Sequence, residues 1–399
     1  VATETRTTQG APAPGGTSFS LSDPTFRAIV YQILVVGAVV LVGWFLISNT
    51  LDNLARRSIA TGYSFLEREA SFGIGESIID YSPKDTYGRA FLVGVLNTLK
   101  VSVIGILLAT VIGTLIGVAR LSSNWLIAKL ASTYVEIIRN IPPLLQLFFW
   151  YALVSDSLPP VRNALNPLPG VFLSQRGLWV PGLSHSPVWT MMAVAFAVAV
   201  VGTFALSRWA KGRQARTGQI FPMARAGLGL LIGLPLLAYI LGGMPTALDM
   251  PKLTGFNFVG GKALSPEFFA ILTGLTVYTS AFIAEVVRSG IVAVNWGQTE
   301  AARALGLPSG PTLRLVILPQ ALRVIVPPLT SQYLNLTKNS SLALAIGYPD
   351  LVSIANTTLN QTGQAIEGVT MIMGTYLTIS LSISIFMNWY NKRIALVER

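Results

Sequence analysis

The chain has little material for covalent or metal chemistry. It holds no cysteine and a single histidine, His185, in a polar loop. Thiol nucleophiles, disulfides and Cys-ligated metals are therefore excluded, and a His-rich metal site or a His-based triad has nothing to build on. What can act instead are charges and amides set inside strongly apolar stretches, where each is costly and so marks function. Gln146 and Glu285 lie within or near the inner halves of two such stretches. Gln332, Asn335, Lys338, Asn339, Ser340 and Ser341 cluster toward the outer half of a third. That cluster offers a cation, amide donors and hydroxyl acceptors, and the same groups also suit bridging between helices.

Two further patterns place charge at helical spacing. YVEIIRNIPP at 134–143 and FIAEVVRSGI at 282–291 each set a Glu three residues before an Arg, so Glu136 with Arg139 and Glu285 with Arg288 can meet on one helix face near the membrane surface, or can simply snorkel as helix-end charges. The stretch TEAARALGLPSGPTLRLVILP at 299–319 is a polar patch between apolar runs. Asn295 and Gln298 have capping-box spacing, Glu300 is expected in the first turn, and Gly306 with Pro308 supplies the stop. The helix so defined has about two or three turns, too short to be stable alone in water. It must lie on the membrane surface or enter a groove on a partner, with Ala301 and Ala302 permitting close approach and Arg303 and Arg314 flanking it.

The elements that position these residues are membrane spans. Hydrophobic residues make up 52% of the chain and charged residues 11%, with a mean hydropathy of +0.60, against about 25% charged in soluble domains. The excess of 28 Lys and Arg over 17 Asp and Glu is spread along the chain, which suits loops facing anionic lipid and argues against a nucleic-acid surface. Residues 1–26 are rich in Thr, Ser, Pro, Gly and Ala and read as a disordered cytoplasmic tail. The run from Ala28 to Ile47 carries no charge and no cleavage site follows it, so a retained span is expected over 27–48. Seven more spans of about 20 residues or longer are expected near 90–119, 134–154, 188–207, 226–244, 268–289, 315–345 and 370–390. Pro142 and Pro143 predict a break in the third span, and Pro319, Pro327 and Pro328 predict a kink or an interfacial lead-in to the seventh. Glycine pairs at Gly113 and Gly117 and at Gly229 and Gly233 predict close helix packing.

The expected fold class is all-α, a polytopic membrane protein with about eight transmembrane helices. The positive-inside bias favours both termini in the cytoplasm, led by Arg208, Lys211, Arg213, Arg216 and Arg225 in one short loop. Arg56 and Arg57, just beyond the first span, oppose it. Residues 49–88 then form a periplasmic segment and 391–399 a cytoplasmic C-terminus. The fourth and fifth spans sit between stretches at 155–187 and 245–267 rich in Pro and Gly. Residues 156–267 therefore read as an insertion into a core of 89–155 and 268–390.

The pattern Glu300, Ala301, Ala302, then Gly306, then Val316, Ile317, Leu318 and Pro319 resembles the EAA loop of ABC importer permeases, with Val316 in place of the family's usual isoleucine. GVLNTLKVSVIGILLATVIGTLIGVAR at 94–120, YVEIIRNIPPLLQLFFWYALV at 134–154 and LTKNSSLALAIGYPDL at 336–351 look like the polar amino-acid branch of that family. The C-terminal run from Gln364 and the two-span insertion are similar to the larger permease of general L-amino-acid importers of the Aap/Bzt type, known from Gram-negative bacteria. The resemblance implies a type I ABC importer permease core in the bacterial inner membrane. It also implies a heterodimer with a second homologous permease, two ATPase subunits and a periplasmic amino-acid-binding protein. Glu300, Ala301, Ala302, Arg303, Gly306 and Pro319 would then belong to the loop that docks into the ATPase.

Such a chain is expected to bind no cofactor and to be non-catalytic, with ATP and Mg on the ATPase. The nearest approach to a phosphate loop, GFNFVGGKA at 255–263, has Phe256 in place of the first glycine and Ala263 where a hydroxyl is needed for magnesium. An L-amino acid passing through would need a donor or cation for its carboxylate and acceptors for its ammonium, which the run from Gln332 to Ser341 offers, unless the partner permease holds the substrate. The main rival is an ion-coupled secondary transporter using Glu285, Glu136 and Lys338, but the echo between the two Glu/Arg segments is weak for an inverted repeat. A membrane-embedded enzyme lacks paired intramembrane carboxylates or a nucleophile with its base.

Overall fold

A computed structural model describes residues 24–56, 61–183, 186–219, 221–244, 248–255 and 257–394. Most of the expected tail, together with Arg57, His185, Phe256 and 395–399, lies outside the described residues. The spans read from the sequence coincide with helices: α1 (Pro24–Arg56), α2 (Tyr87–Ala119), α3 (Trp125–Asn140), α4 (Pro143–Ser157), α5 (Pro187–Thr217), α6 (Met223–Leu241) and α7 (Pro266–Val292). The chain continues through the short α8 (Trp296–Ala304), a single turn α9 (Ser309–Pro311), a π-helical stretch (Thr312–Ile317), α10 (Leu318–Asn339), a 3-10 stretch (Ser340–Ile346), α11 (Leu351–Thr362) and α12 (Ala365–Ile394). Among the described residues six helices are long and apolar enough to cross a bilayer, α3 with α4 makes a seventh crossing if the pair is one broken span, and the apolar part of α6 is shorter.

The break expected at Pro142 and Pro143 within 134–154 is sharp. Two helices meet there at 105°, because Pro142 and Pro143 interrupt the helical ladder between them. Gln146 fills the gap: its Nε2 donates to the carbonyls of Ile138 (2.9 Å) and Ile141 (3.0 Å), acceptors a continuous helix would have satisfied. The seventh span is one run from Ser309 to Ile346, with Pro319 in its opening turn and Pro327 and Pro328 inside.

The core is α2, α4, α10 and α11 packed around α7 and its neighbours. Its most extensive contact is between α2 and α7, where a Cβ built on Gly113 would lie 2.7 Å from the Ser280 carbonyl oxygen and one on Gly117 2.7 Å from that of Ala284. Gly229 and Gly233 of α6 face open space among the described residues, so the second glycine pair packs against nothing within this chain.

The flanking stretches of the insertion are not plain loops. β1 (Leu165–Leu168), β2 (Val171–Ser174) and β3 (Gly177–Val180) form an antiparallel sheet whose fourth strand is β8 (Lys262–Leu264), with Trp179 opposite Ala263. β4 (Gly182–Leu183) pairs with β5 (Leu248–Asp249), and β6 (Lys252–Thr254) with β7 (Asn257–Val259). The all-α expectation thus gains a small β cap, sealed by buried Phe258 stacked on Phe172 at 4.6 Å between ring centres. The α5–α6 hairpin leaves through β3 and β4 and the chain returns through β8 directly into α7. An insertion held at its base by antiparallel strands leaves the order of the core helices undisturbed.

Candidate functional site

Three sets of polar residues stand out, two at the α8 end of the bundle and one at the opposite end. α8 begins at Asn295, whose Oδ1 accepts from Gly297 N at 2.8 Å, a standard N-cap. The expected capping box does not close, since Gln298 accepts instead from Gln320 Nε2 of α10 at 3.2 Å. Glu300 lies in the second turn rather than the first, because the helix starts at Trp296; its carboxylate accepts from the Trp296 indole at 3.0 Å. Arg303 lies over the same indole. The helix ends as expected. Gly306 takes φ +76° and Leu307 N returns to the Ala302 carbonyl at 3.1 Å, a left-handed stop that a side chain would strain.

The exposed surface of this segment sets large apolar side chains among the polar Gln298, Glu300 and Arg303. Trp296, Leu305 and Leu315 are 64%, 81% and 65% exposed, while Ala302 is buried against the chain's own fold. Ala301 is also exposed, so the helix presents a small residue between large ones. Behind it a hollow of about 520 Å³ is lined by Ile291, Asn295, Trp296, Thr299 and Ile317. Pro319 opens α10 just after the π-helical stretch, where its missing N–H costs least.

Above α8, Glu285 on α7 is the acceptor for arginines of three helices. It is ion-paired with Arg120 at the end of α2, with Arg288 on its own helix at 2.7 Å, and with Arg139 on α3 at 3.9 Å. The Glu285–Arg288 spacing noted in the sequence is realised. Arg139 does not turn to Glu136 but crosses to α7, where it also stacks over Phe282. Gln146 is likewise occupied, at the α3–α4 break.

At the opposite end, Gln332, Asn335, Lys338 and Asn339 occupy the last two turns of α10, and among the described residues their side chains make no hydrogen bond or ion pair. Asn335 and Lys338 are exposed and Gln332 and Asn339 half-buried. Ser340 is buried and donates to the Thr337 carbonyl, and Ser341 donates to that of Lys338, both at 2.7 Å. The structure therefore splits this set into four uncommitted side chains and two hydroxyls engaged with the helix backbone.

Sequence reasoning missed the neighbours of this end. Glu76, from the segment before α2, pairs with Lys100 of α2 and accepts from Ser265. Asn97 of α2 donates to the carbonyls of Glu76 and Pro349 at 2.8 and 2.9 Å. Asp350 is fully buried; one oxygen caps α11 by accepting from Ser353 N at 2.8 Å and the other has no partner. Burial pushes this carboxyl up to about 7. Between these elements lies a cavity of about 360 Å³, lined by Gly73, Glu76, Ser265, Glu267, Ser353 and Thr357 among others. The legible signal was Asp350 before the apolar start of α11; the Glu76–Lys100 contact has none.

Residues 102–396 match the family model described as "Binding-protein-dependent transport system inner membrane component". The chain is 56% identical over 387 residues to a putative amino-acid ABC transporter permease protein of Escherichia coli, covering 96% of this chain and 98% of that one. It is 50% identical to the general L-amino acid transport system permease protein AapQ of Rhizobium johnstonii, with 95% of each chain covered. The glutamate/glutamine/aspartate/asparagine permease BztB of Rhodobacter capsulatus is 42% identical, over 96% of this chain and 97% of its own.

Proposed function

The chain belongs to the family of binding-protein-dependent transport system inner membrane components, a multi-pass ABC permease and not an ion-coupled carrier, and from that premise we propose that it carries L-amino acids into the cytoplasm of a bacterial cell. In this reading it lies in the inner membrane with both termini inside. It pairs with a second homologous permease, takes its cargo from a periplasmic amino-acid-binding protein and is driven by two ATPase subunits. It catalyses nothing itself and binds no cofactor, ATP and Mg being held by the ATPase.

The observation that carries this reading is α8. A nine-residue helix is marginal on its own, yet this one is capped at both ends and turns Trp296, Ala301 and Leu305 outward. A groove on another protein would bury that face. ATP-driven closure of the ATPase pair would then move α8, and with it α7 and α10, whose ends it joins. Because a ligand or partner shifts a conformational equilibrium only through differential contacts, the α8 contact is where ATP binding would bias the helices between inward-open and outward-open states.

The substrate path would run past the uncommitted side chains of α10. Lys338 is suited to the amino-acid carboxylate, and the amide oxygens of Gln332, Asn335 and Asn339 to its ammonium. Ser340 and Ser341 would shape the wall, while Gln146 and Glu285 border the path through the helices they hold.

The test is reconstitution of the complex in proteoliposomes with its binding protein and a panel of amino acids. ATP hydrolysis stimulated by binding protein plus particular amino acids, with uptake of the same ones, is the expected result. Gly306→Val and Glu300→Arg should abolish ATP-driven uptake while the chain still inserts. Full uptake in both variants, or uptake by the chain alone down an ion gradient, would remove the proposal.

A further inference from the structure

The charges at the α8 end converge on a single carboxylate. Glu285 Oε2 takes Arg120 from α2 and Arg139 from α3, and Oε1 takes Arg288. Arg120 also donates to Ser132 of α3 at 3.4 Å, so two helices besides α7 are tied to one side chain. Three guanidiniums share one anion, and without it they would repel one another at close range.

The position of this cluster along α7 matters as much as its charge. Glu285 lies about two turns from the end of α7, and only Ala293, Val294 and Asn295 separate that end from α8. Any displacement of α8 reaches α7 first, and Glu285 is where α7 is ion-paired to α2 and α3. Further from α8, the contacts of α7 with these helices are of another kind. Gly113 and Gly117 let α2 lie directly on α7, and Val135 packs against Ala281 and Ala284, with the Tyr134 hydroxyl of α3 as the one polar tie among the described residues there, to the Val277 carbonyl at 3.0 Å and the Ser280 hydroxyl at 2.8 Å. Small apolar surfaces can slide; an ion-paired carboxylate holds one geometry or exchanges it for another.

We propose that Glu285 is a positioning residue for transport, an ion-pair latch that makes α2 and α3 follow α7 when α8 moves. The inference rests on the reading of α8 as the ATPase contact. Glu285 touches neither nucleotide nor cargo in this role; it determines whether movement at one end is passed to the helices that line the path.

The experiment uses the whole reconstituted complex and measures ATP hydrolysed per amino acid imported. It also measures the distance between spin labels on cysteines placed at Lys129 of α3 and Val292 of α7, with and without ATP trapped, cysteines of the other subunits being replaced. This chain has none of its own. Glu285→Gln should raise the ATP cost per molecule at least about tenfold, the scale expected when a mostly buried ion-pair centre loses its charge. The amino-acid concentration giving half-maximal ATPase stimulation should stay within about twofold, since cargo recognition is untouched. In that variant the α3–α7 distance should no longer change in step with ATP. Arg139→Gln, which removes only the tie to α3 and leaves Glu285 paired with Arg120 and Arg288, should likewise free the α3–α7 distance from ATP and raise the ratio, to a smaller degree.

A Glu285→Gln complex with the wild-type ratio would overturn the proposal. If that variant fails to assemble, Arg139→Gln decides: a raised ratio with an α3–α7 distance that no longer follows ATP supports the latch, and wild-type behaviour in both overturns it. Absence of ATP-driven uptake in the wild-type complex would instead remove the reading of α8, which keeps the two failures apart.

Discussion

Lys100, inside the apolar α2, is paired with Glu76 from the segment that precedes that helix. Both side chains are largely buried, at 13% and 10% exposure, and the ammonium also lies 3.8 Å from the centre of the Phe268 ring. A lysine at this depth is tolerable only when paired, so the segment before α2 is part of the fold and not a passive tether.

Glu76→Ala is therefore expected to destabilise the chain by about 3–5 kcal/mol, because it strands a buried cation. Glu76→Met combined with Lys100→Met should recover most of that loss, since an apolar pair of similar volume avoids the desolvation penalty. Thermal unfolding in detergent is the measurement, and a double variant as unstable as the single one would show that packing, not charge, is at stake.

The junction beside this pair titrates. Asp350 is pushed up to about 7 by burial, so between the ordinary carboxylate range and about pH 7 the folded chain holds a proton that the unfolded chain has released. Stability should then fall as pH rises through this window, by at most about 1.4 kcal/mol per unit, and level off above it. Asp350→Asn keeps an N-cap for α11 and removes the proton, so the difference in unfolding midpoint between the two proteins should vanish below about pH 4 and grow toward pH 7. Tyr348, Tyr376 and Glu76 face the same junction, and comparison with this variant separates their contribution.

The two glycine pairs looked alike in the sequence and differ in the structure. Gly113→Ala places a methyl 2.7 Å from the Ser280 carbonyl and the Ile283 side chain, and overpacking of that kind costs about 1–3 kcal/mol. Gly229→Ala meets nothing among the described residues and should be neutral or stabilising by up to about 1 kcal/mol through helix propensity. Unfolding of the chain alone checks both. If Gly229→Ala is neutral there yet weakens the assembled complex, the α6 glycines face a neighbouring subunit.

What could be read from the sequence follows from the range of each signal. Apolar helices, the Pro142–Pro143 break and the stop at Gly306 depend on residues adjacent in the chain and are in place, although among the described residues six helices, or seven crossings with the bent pair, reach bilayer length where eight were expected. The β cap escaped because its strands are two to four residues long, too short for alternation to register. Glu285 and Arg288 were visible as an intrahelical pair, whereas Arg120 and Arg139 reach the same carboxylate only after α2, α3 and α7 have packed. The Glu136–Arg139 spacing shows the complementary failure. Spacing permits a pair, but a better partner on another helix takes the arginine. Glu300 was misplaced by one turn for a simpler reason, that the fifth helical residue after the Asn295 cap already lies beyond the first turn.

The last expectation concerns the cargo. Gln332, Asn335, Lys338 and Asn339 keep their polar groups uncommitted among the described residues, two of them exposed and two half-buried at the end of an apolar helix, where polar groups are costly unless they serve a function. Side chains whose hydrogen bonds are made only with a passing solute would account for that. Lys338→Ala should then raise the amino-acid concentration needed for half-maximal uptake by about tenfold, the loss of one charge-assisted hydrogen bond. ATP hydrolysis without cargo should be unchanged, because Lys338 lies at the end of α10 remote from α8. Asn335→Ala should act in the same direction but more weakly, as a neutral amide. Uptake kinetics across acidic, amide and aliphatic amino acids provide the check. If both variants transport every one of them as the wild type does, the recognition groups belong to the second permease and this face of α10 is its contact surface.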